Sequence, residues 1–220
     1  MKRIGYIVLC LLLIVCSFVS CKKEETPEVE APREYSEGEV LSEASSLLAN
    51  CNEINRILWG IGIPTSESED AVKSGNYVEV DPEWAQMMNI RSVVDIKAMC
   101  REIYSEEVYQ MAERTIFSPV KDSEENVISL VRYYDYTPEN KAYLMVNTKG
   151  TAYFKSDVEY LTETLAIKEV KGQKIYLTVD VLVYNEQNQS QTRTLTFSVI
   201  EEEKGWRLST PTYMTFVSEQ

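Results

Sequence analysis

The chain contains no histidine. That absence removes the commonest general base, the commonest zinc and copper ligand, and every Ser-His or Cys-His nucleophile pair. Glycine is scarce, eight residues in 220, and none of them builds a phosphate-cradling loop. There is no Cys-x-x-Cys pair and no Asp-x-Asp-x-Asp-Gly calcium loop. Positive charge is short as well, with 22 Lys and Arg against 35 Asp and Glu and a net charge of −13. Such a surface repels phosphate backbones and anionic headgroups, so neither nucleic acid nor direct adhesion to anionic lipid is expected. The acid clusters Glu67/Glu69/Asp70, Glu106/Glu107, Glu124/Glu125 and Glu201/Glu202/Glu203 read as solvated turns rather than cation sites. The expectation is a non-enzymatic chain with no metal and no cofactor.

The longest apolar run stands at the very start. Met1-Lys2-Arg3 is followed by apolar residues from Ile4 and then by Phe18-Val19-Ser20-Cys21. A basic start, an apolar segment of this length and a small residue before the cut make residues 1–20 a secretory signal peptide. The run is too short, and too abruptly followed by charge, for a membrane span. Cys21 stands where the lipid-modified cysteine of bacterial lipoproteins stands, and the segment resembles a lipobox with Phe18 where Leu is common. That resemblance implies acylation of Cys21 and an extracytoplasmic, membrane-anchored protein. Removing residues 1–20 takes away Lys2 and Arg3 and no acid, leaving 20 basic and 35 acidic residues, a net charge of −15. Residues 21–38, rich in charge and proline, are expected to be a disordered tether, roughly 50 Å long if extended. Lys22-Lys23-Glu24-Glu25 also resembles the surface-export signals of Bacteroidetes lipoproteins, so the source is left between that group and Firmicutes.

From residue 39 onward a single α+β domain is expected. Val40, Ala44, Leu47, Cys51, Ile54, Leu58 and Ile61 recur at alternating steps of four and three, one apolar helix face, ended by Gly60, Gly62 and Pro64. Residues 65–80 read as a polar loop closed by Tyr77-Val78-Glu79-Val80. Asp81-Pro82 predicts the N-cap and first turn of a short helix, and Ser92-Val-Val-Asp95 a capping box with Asp in place of Glu. Ser105 predicts the cap of a further helix with Val108, Met111, Ala112 and Ile116 inward. From Asn126 the period becomes two, with strands expected at 127–136, 141–148, 158–169, 174–184, 192–201 and 206–210. Two to three N-terminal helices should cover one face of a curved antiparallel sheet of five to six strands.

This order resembles the cone-shaped domains of the nuclear transport factor 2-like class. The residues that carry the likeness are Ser92-Val-Val-Asp-Ile-Lys-Ala-Met, Tyr104-Ser105-Glu106-Glu107 and the final Gly205-Trp206-Arg207-Leu208-Ser209-Thr210-Pro211-Thr212. Within that class it is similar to the cystatin-like inhibitors of cell-wall DL-endopeptidases of Firmicutes. The resemblance implies a cone-shaped sheet, a wall hydrolase or wall polymer as partner, and no particular contact residues.

Fourteen tyrosines, most of them in the strand region, offer flat apolar faces with polar tips, as ligand-lining or simply strand-forming residues. Tyr176, Asp180 and Tyr184 share the non-aliphatic face of one strand and are the candidate ligand-facing set. An enzyme of the cone fold would need Asp180 in an apolar pocket. Trp206 reads as a core anchor, whereas Trp59 and Trp84 lie next to loops. Cys51 and Cys100 both lie on apolar helix faces directed at one core, as a possible disulfide or as two buried free thiols. Three functions follow: a lipid-anchored binding domain that modulates a wall enzyme or binds wall polymer, a carrier of small molecules or peptides in a cone pocket, or a cone-fold enzyme.

Overall fold

The computed structural model describes residues 35–121, 127–149, 157–185 and 187–214. The signal segment, Cys21 and the tether up to residue 34 lie outside the described residues.

Helix α1 spans Glu37–Leu58, because Ser36 at its N-cap accepts a hydrogen bond from the Glu39 amide (3.2 Å). The folded unit therefore starts before the boundary expected from composition. Tyr35 sets its ring edge-on to Trp206 with centroids 4.8 Å apart and donates its hydroxyl to Glu201 (3.0 Å). The charged, proline-bearing composition of 22–38 masked one aromatic anchor and one capping serine. The apolar stripe of α1 is buried as expected at Val40, Ala44, Leu47, Cys51, Ile54 and Leu58. Ile61 is not part of it. The helix stops at Leu58, and Ile61 is 61% exposed on the turn beyond. Arg132 donates to the carbonyls of Leu58 and Gly60, and Tyr133 donates to that of Ile57 (2.7 Å), so the orphan acceptors at the helix end are satisfied. Gly62 follows at φ +89, where a Cβ would press on Arg132 and Tyr133.

Helix α2, Pro82–Met87, is capped by the Asp81 carboxylate, which accepts from the amides of Glu83 and Trp84. Helix α3, Val93–Ile103, carries the expected capping box in a modified form. Ser92 accepts from the Asp95 amide (3.4 Å), and the Asp95 carboxylate accepts from the Arg91 amide (2.8 Å) and the Ser92 hydroxyl (2.9 Å). Helix α4, Glu106–Ala112, runs on into a π-helical turn at Glu113–Phe117. Ser105 sits at its N-cap position without a side-chain cap. Glu202 reaches across instead and accepts from the Glu106 amide (3.0 Å).

The backbone bond from the Arg91 amide, opposed by slight desolvation, holds the Asp95 carboxyl below the usual aspartate range. Its folded value lies under its unfolded value of about 3.9, so it stabilises the protein above that pH and ceases to do so as pH falls through the folded value. Asp95→Asn is therefore expected to be less stable than the parent at pH 7, by a margin that shrinks at pH 3. Urea titrations at the two pH values check this.

The chain is α+β, helices preceding the long strands, but its strands divide between two four-stranded antiparallel sheets. The long sheet comprises β7 (Asp157–Lys171), β8 (Lys174–Tyr184), β9 (Ser190–Glu202) and β10 (Gly205–Leu208), in the order β10-β9-β8-β7. The small one comprises β1 (Lys73–Ser74), β2 (Tyr77–Glu79), β5 (Tyr133–Tyr136) and β6 (Tyr143–Asn147), in the order β1-β2-β6-β5. A third pair joins β3 (Val120–Lys121) to β4 (Val127–Ser129). The single sheet of five to six strands is thus divided into two four-stranded sheets and a separate two-stranded pair. Strands β5 and β6, expected to share a sheet with β7, pair with each other instead, and β6 pairs with β2, which lies in the stretch read as a loop. Two- and three-residue strands are too short to show a period.

Ile175, Leu177, Val179, Val181 and Val183 of β8 are all buried, and α1 packs on β7, β10 and α3. Burying each such side chain contributes roughly 1.5–3 kcal/mol before the ordering cost. Phe197, Val199, Trp206 and Leu208 extend the same core. The Ser105 amide donates to the Leu208 carbonyl (2.9 Å) and ties the α3–α4 junction to β10. No helix among the described residues is long and apolar enough to cross a membrane.

Candidate functional site

Tyr176, Asp180 and Tyr184 lie on the face of β8 opposite the core, half-buried and spread along the strand. Each has a local partner. Asp180 accepts from the Thr194 hydroxyl (2.7 Å), and Tyr184 donates to Glu159 (2.9 Å). Lys171 sits 5.5 Å from the centroid of the Tyr176 ring. Successive members are four residues apart, about 13 Å at strand rise, so they do not converge on one ligand atom. Among the described residues Asp180 is half-buried and bonded to a hydroxyl, not enclosed in the apolar pocket that a proton-transfer acid would need.

Cys51 and Cys100 are both buried and both free. Sharing one core did not bring the sulfurs together. The Cys51 thiol turns along its own helix to the Leu48 carbonyl (3.3 Å) and the Tyr160 hydroxyl (3.5 Å). Burial pushes both thiols above their usual range, Cys100 to about 12. Neither is a nucleophile or a ready metal ligand. Both are expected to resist thiol reagents in the native protein at pH 8 and to react once denatured without reductant, as a thiol titration would read.

Around Cys51 the structure assembles a polar cluster that periodicity did not reveal. Asn55 is 1% exposed, although it lies between Ile54 and Ile57. Its carbonyl oxygen accepts from the Tyr104 hydroxyl, and its amide nitrogen donates to Thr212 (3.1 Å) and Tyr160 (3.4 Å). Thr212 donates to the Cys51 sulfur (3.3 Å), and Tyr160 donates to the Thr212 carbonyl (2.9 Å). Burial raises Tyr104 well above the ordinary phenol range. This closed network clamps the segment after β10 to α1, and its groups satisfy one another.

A second cluster of tyrosines, partly exposed, lies on the small sheet. Tyr133 of β5 points into the core, and alternation sends Tyr134 and Tyr136 to the other side. Register places Tyr143 opposite Tyr136, and Met145 between Glu79 and Tyr134, on that same side. Tyr77 joins them from β2. Its ring meets Tyr134 edge-on at 4.5 Å, and the rings of Tyr134 and Tyr136 are 6.1 Å apart. Met145 is fully buried among these residues, yet it stands apart from the main core. Tyr77 is anchored through its hydroxyl to the Val131 carbonyl (2.7 Å). Burial and the neighbouring Tyr134 raise it above the usual phenol range. The Lys141 ammonium lies 4.7 Å from the centre of the Tyr143 ring. Tyr134, Tyr136 and Tyr143 are half-buried, and the hydroxyls of Tyr134 and Tyr136 have no hydrogen-bond partner among the described residues.

The platform continues into a groove of about 340 Å³ between α2 and the ends of β2 and β6. Glu79 and Tyr143 belong to both, and Gln86 and Arg91 add polar groups to its walls. A second cleft of about 360 Å³ lies between Arg101, Glu202 and Arg207. Its two arginines are spent on the fold. Arg207 donates to the carbonyls of Arg101, Lys204 and Trp206, and Arg101 stacks 3.7 Å over the Tyr109 ring. Among the described residues no group of three acidic or cysteine side chains could hold a metal ion. Comparison with protein-family models, with curated proteins and with solved structures finds no match for this chain.

Proposed function

We propose that this chain is a lipid-anchored, extracytoplasmic binding domain of a bacterial cell envelope, and that its ligand is wall polymer. One observation carries the reading. The tyrosine face of the small sheet presents three half-buried aromatic rings, Tyr134, Tyr136 and Tyr143, over buried Tyr77, and Tyr143 continues it into a groove of ligand-accommodating size. Buried Met145 and anchored Tyr77 give that face a rigid floor, so little ordering cost is left for binding. A carrier with its ligand inside the long sheet is less well supported, because α1 and the aliphatic row of β8 fill that side. An enzyme built on Asp180 finds no support in an acid that is half-exposed and bonded to Thr194.

The anchor rests on the lipobox-like Phe18-Val19-Ser20-Cys21, and the charged stretch after it supplies the spacing. The mature protein, solubilised in detergent, is expected to co-sediment with isolated cell-wall sacculi. Absence from the pellet at all protein concentrations would overturn the proposal.

A further inference from the structure

Given the binding-domain reading, we infer that the tyrosine platform takes a neutral glycan chain, stacked on Tyr134, Tyr136 and Tyr143. The chemistry of the face selects this class. Sugar rings present apolar C–H faces rimmed by hydroxyls, and a half-exposed phenol offers a flat apolar face with a polar tip. Tyr134 and Tyr136 offer hydroxyls with no partner among the described residues, as a hydroxylated ligand requires. The face is otherwise poor in aliphatic groups, since its one methionine is already fully covered.

Charge excludes the anionic polymers. The chain has a net charge of −13 and Glu79 stands between platform and groove, which outweighs the cations Lys141 and Arg91 beside it. An extended peptide, which would bind by adding a strand, meets an obstructed edge. β5 is the outer strand of the small sheet, yet α3 and the π-helical turn pack along it. Asp135 of β5 accepts from the Val93 amide at the start of α3 (2.9 Å). The groove beyond Tyr143 extends the platform in one direction, which suits a chain rather than a single sugar.

The test is affinity electrophoresis of the full mature chain, in a polyoxyethylene detergent, through native gels containing glycol chitin, hydroxyethylcellulose or soluble starch. Retardation by at least one of these neutral polymers is expected, and none by polyglutamate. Tyr134→Ala with Tyr136→Ala should weaken the retarding interaction by at least about tenfold, from two lost stacking contacts. Tyr134→Phe with Tyr136→Phe keeps both rings and should cost only about threefold. Because the alanine pair removes ring contact with Tyr77, its melting temperature is measured in parallel, and the phenylalanine pair remains informative if it unfolds. Tyr184→Ala, on the long sheet, should migrate as the parent. Equal retardation of parent and alanine pair, or retardation by polyglutamate alone, would overturn the glycan inference. Sedimentation with sacculi separates the two levels. Binding to sacculi without any glycan retardation leaves a binding domain with a different ligand, whereas loss of both removes the platform's role altogether.

Discussion

Asn55→Ala is expected to lower stability by about 3 kcal/mol. The side chain is 1% exposed and links Tyr104, Tyr160 and Thr212, so its removal opens a cavity and strands buried donors. A domain of this size should then melt roughly 6–12 °C lower. Tyr104→Phe removes only a hydroxyl that Asn55 and Thr212 share, and should cost about 1–2 kcal/mol. The double variant should lose less than the sum, because both changes act on one network. Chemical denaturation of the four proteins reads the coupling directly. A loss under about 1 kcal/mol for Asn55→Ala would mean that the cluster does not clamp the C-terminal segment.

Cys21→Ala should abolish membrane retention. In the proposed lipoprotein, acyl chains on a processed Cys21 would supply nearly all of the bilayer affinity, since two chains hold a protein where a single one binds only reversibly. The acidic surface adds no electrostatic attachment, because the net charge of −13 repels anionic headgroups. Detergent phase partition of cells expressing the variant should move the protein from the detergent phase to the aqueous phase, or leave it as the unprocessed precursor. Retention in the membrane fraction at parental levels would refute the lipid anchor.

The helices were legible almost residue by residue. Ser36 apart, their caps announce themselves within four positions: Asp81 before Pro82, and Ser92 paired with Asp95. Capping is local, because the partners are fixed by covalent distance. Ser105 shows the limit. Its position is that of a cap, yet the bond is made by Glu202, nearly a hundred residues later. The strands of the long sheet were equally plain in Ile175 to Val183, since alternation reports a one-sided core.

Partition of strands was not legible, because pairing energy lies between strands that the sequence separates. β6 could join β7 or β2 with similar local preference, and the choice became visible only in the register of Tyr77, Val78 and Glu79 with Asn147, Val146 and Met145. The cysteines fail for a related reason. A shared apolar face places Cys51 and Cys100 in one core, but a disulfide demands a meeting of two particular Cβ vectors. Asn55 was invisible because a single polar residue beside an apolar stripe reads as a flank until its partners arrive from β7 and the segment after β10.

By itself the sequence determined the acidic and histidine-free chemistry, the α+β class and the buried faces of α1 and β8. All of these follow from composition or from a period within one element. Tertiary structure alone decided which tyrosines face outward together. Tyr133 and Tyr134 are neighbours of one kind, and only the first turns inward, where its hydroxyl donates to the Ile57 carbonyl and accepts from the Ile63 amide. Pairing with β6 then lines up the second with Tyr136, Tyr143 and Met145. A surface for binding is a relation between strands, and no single strand encodes it.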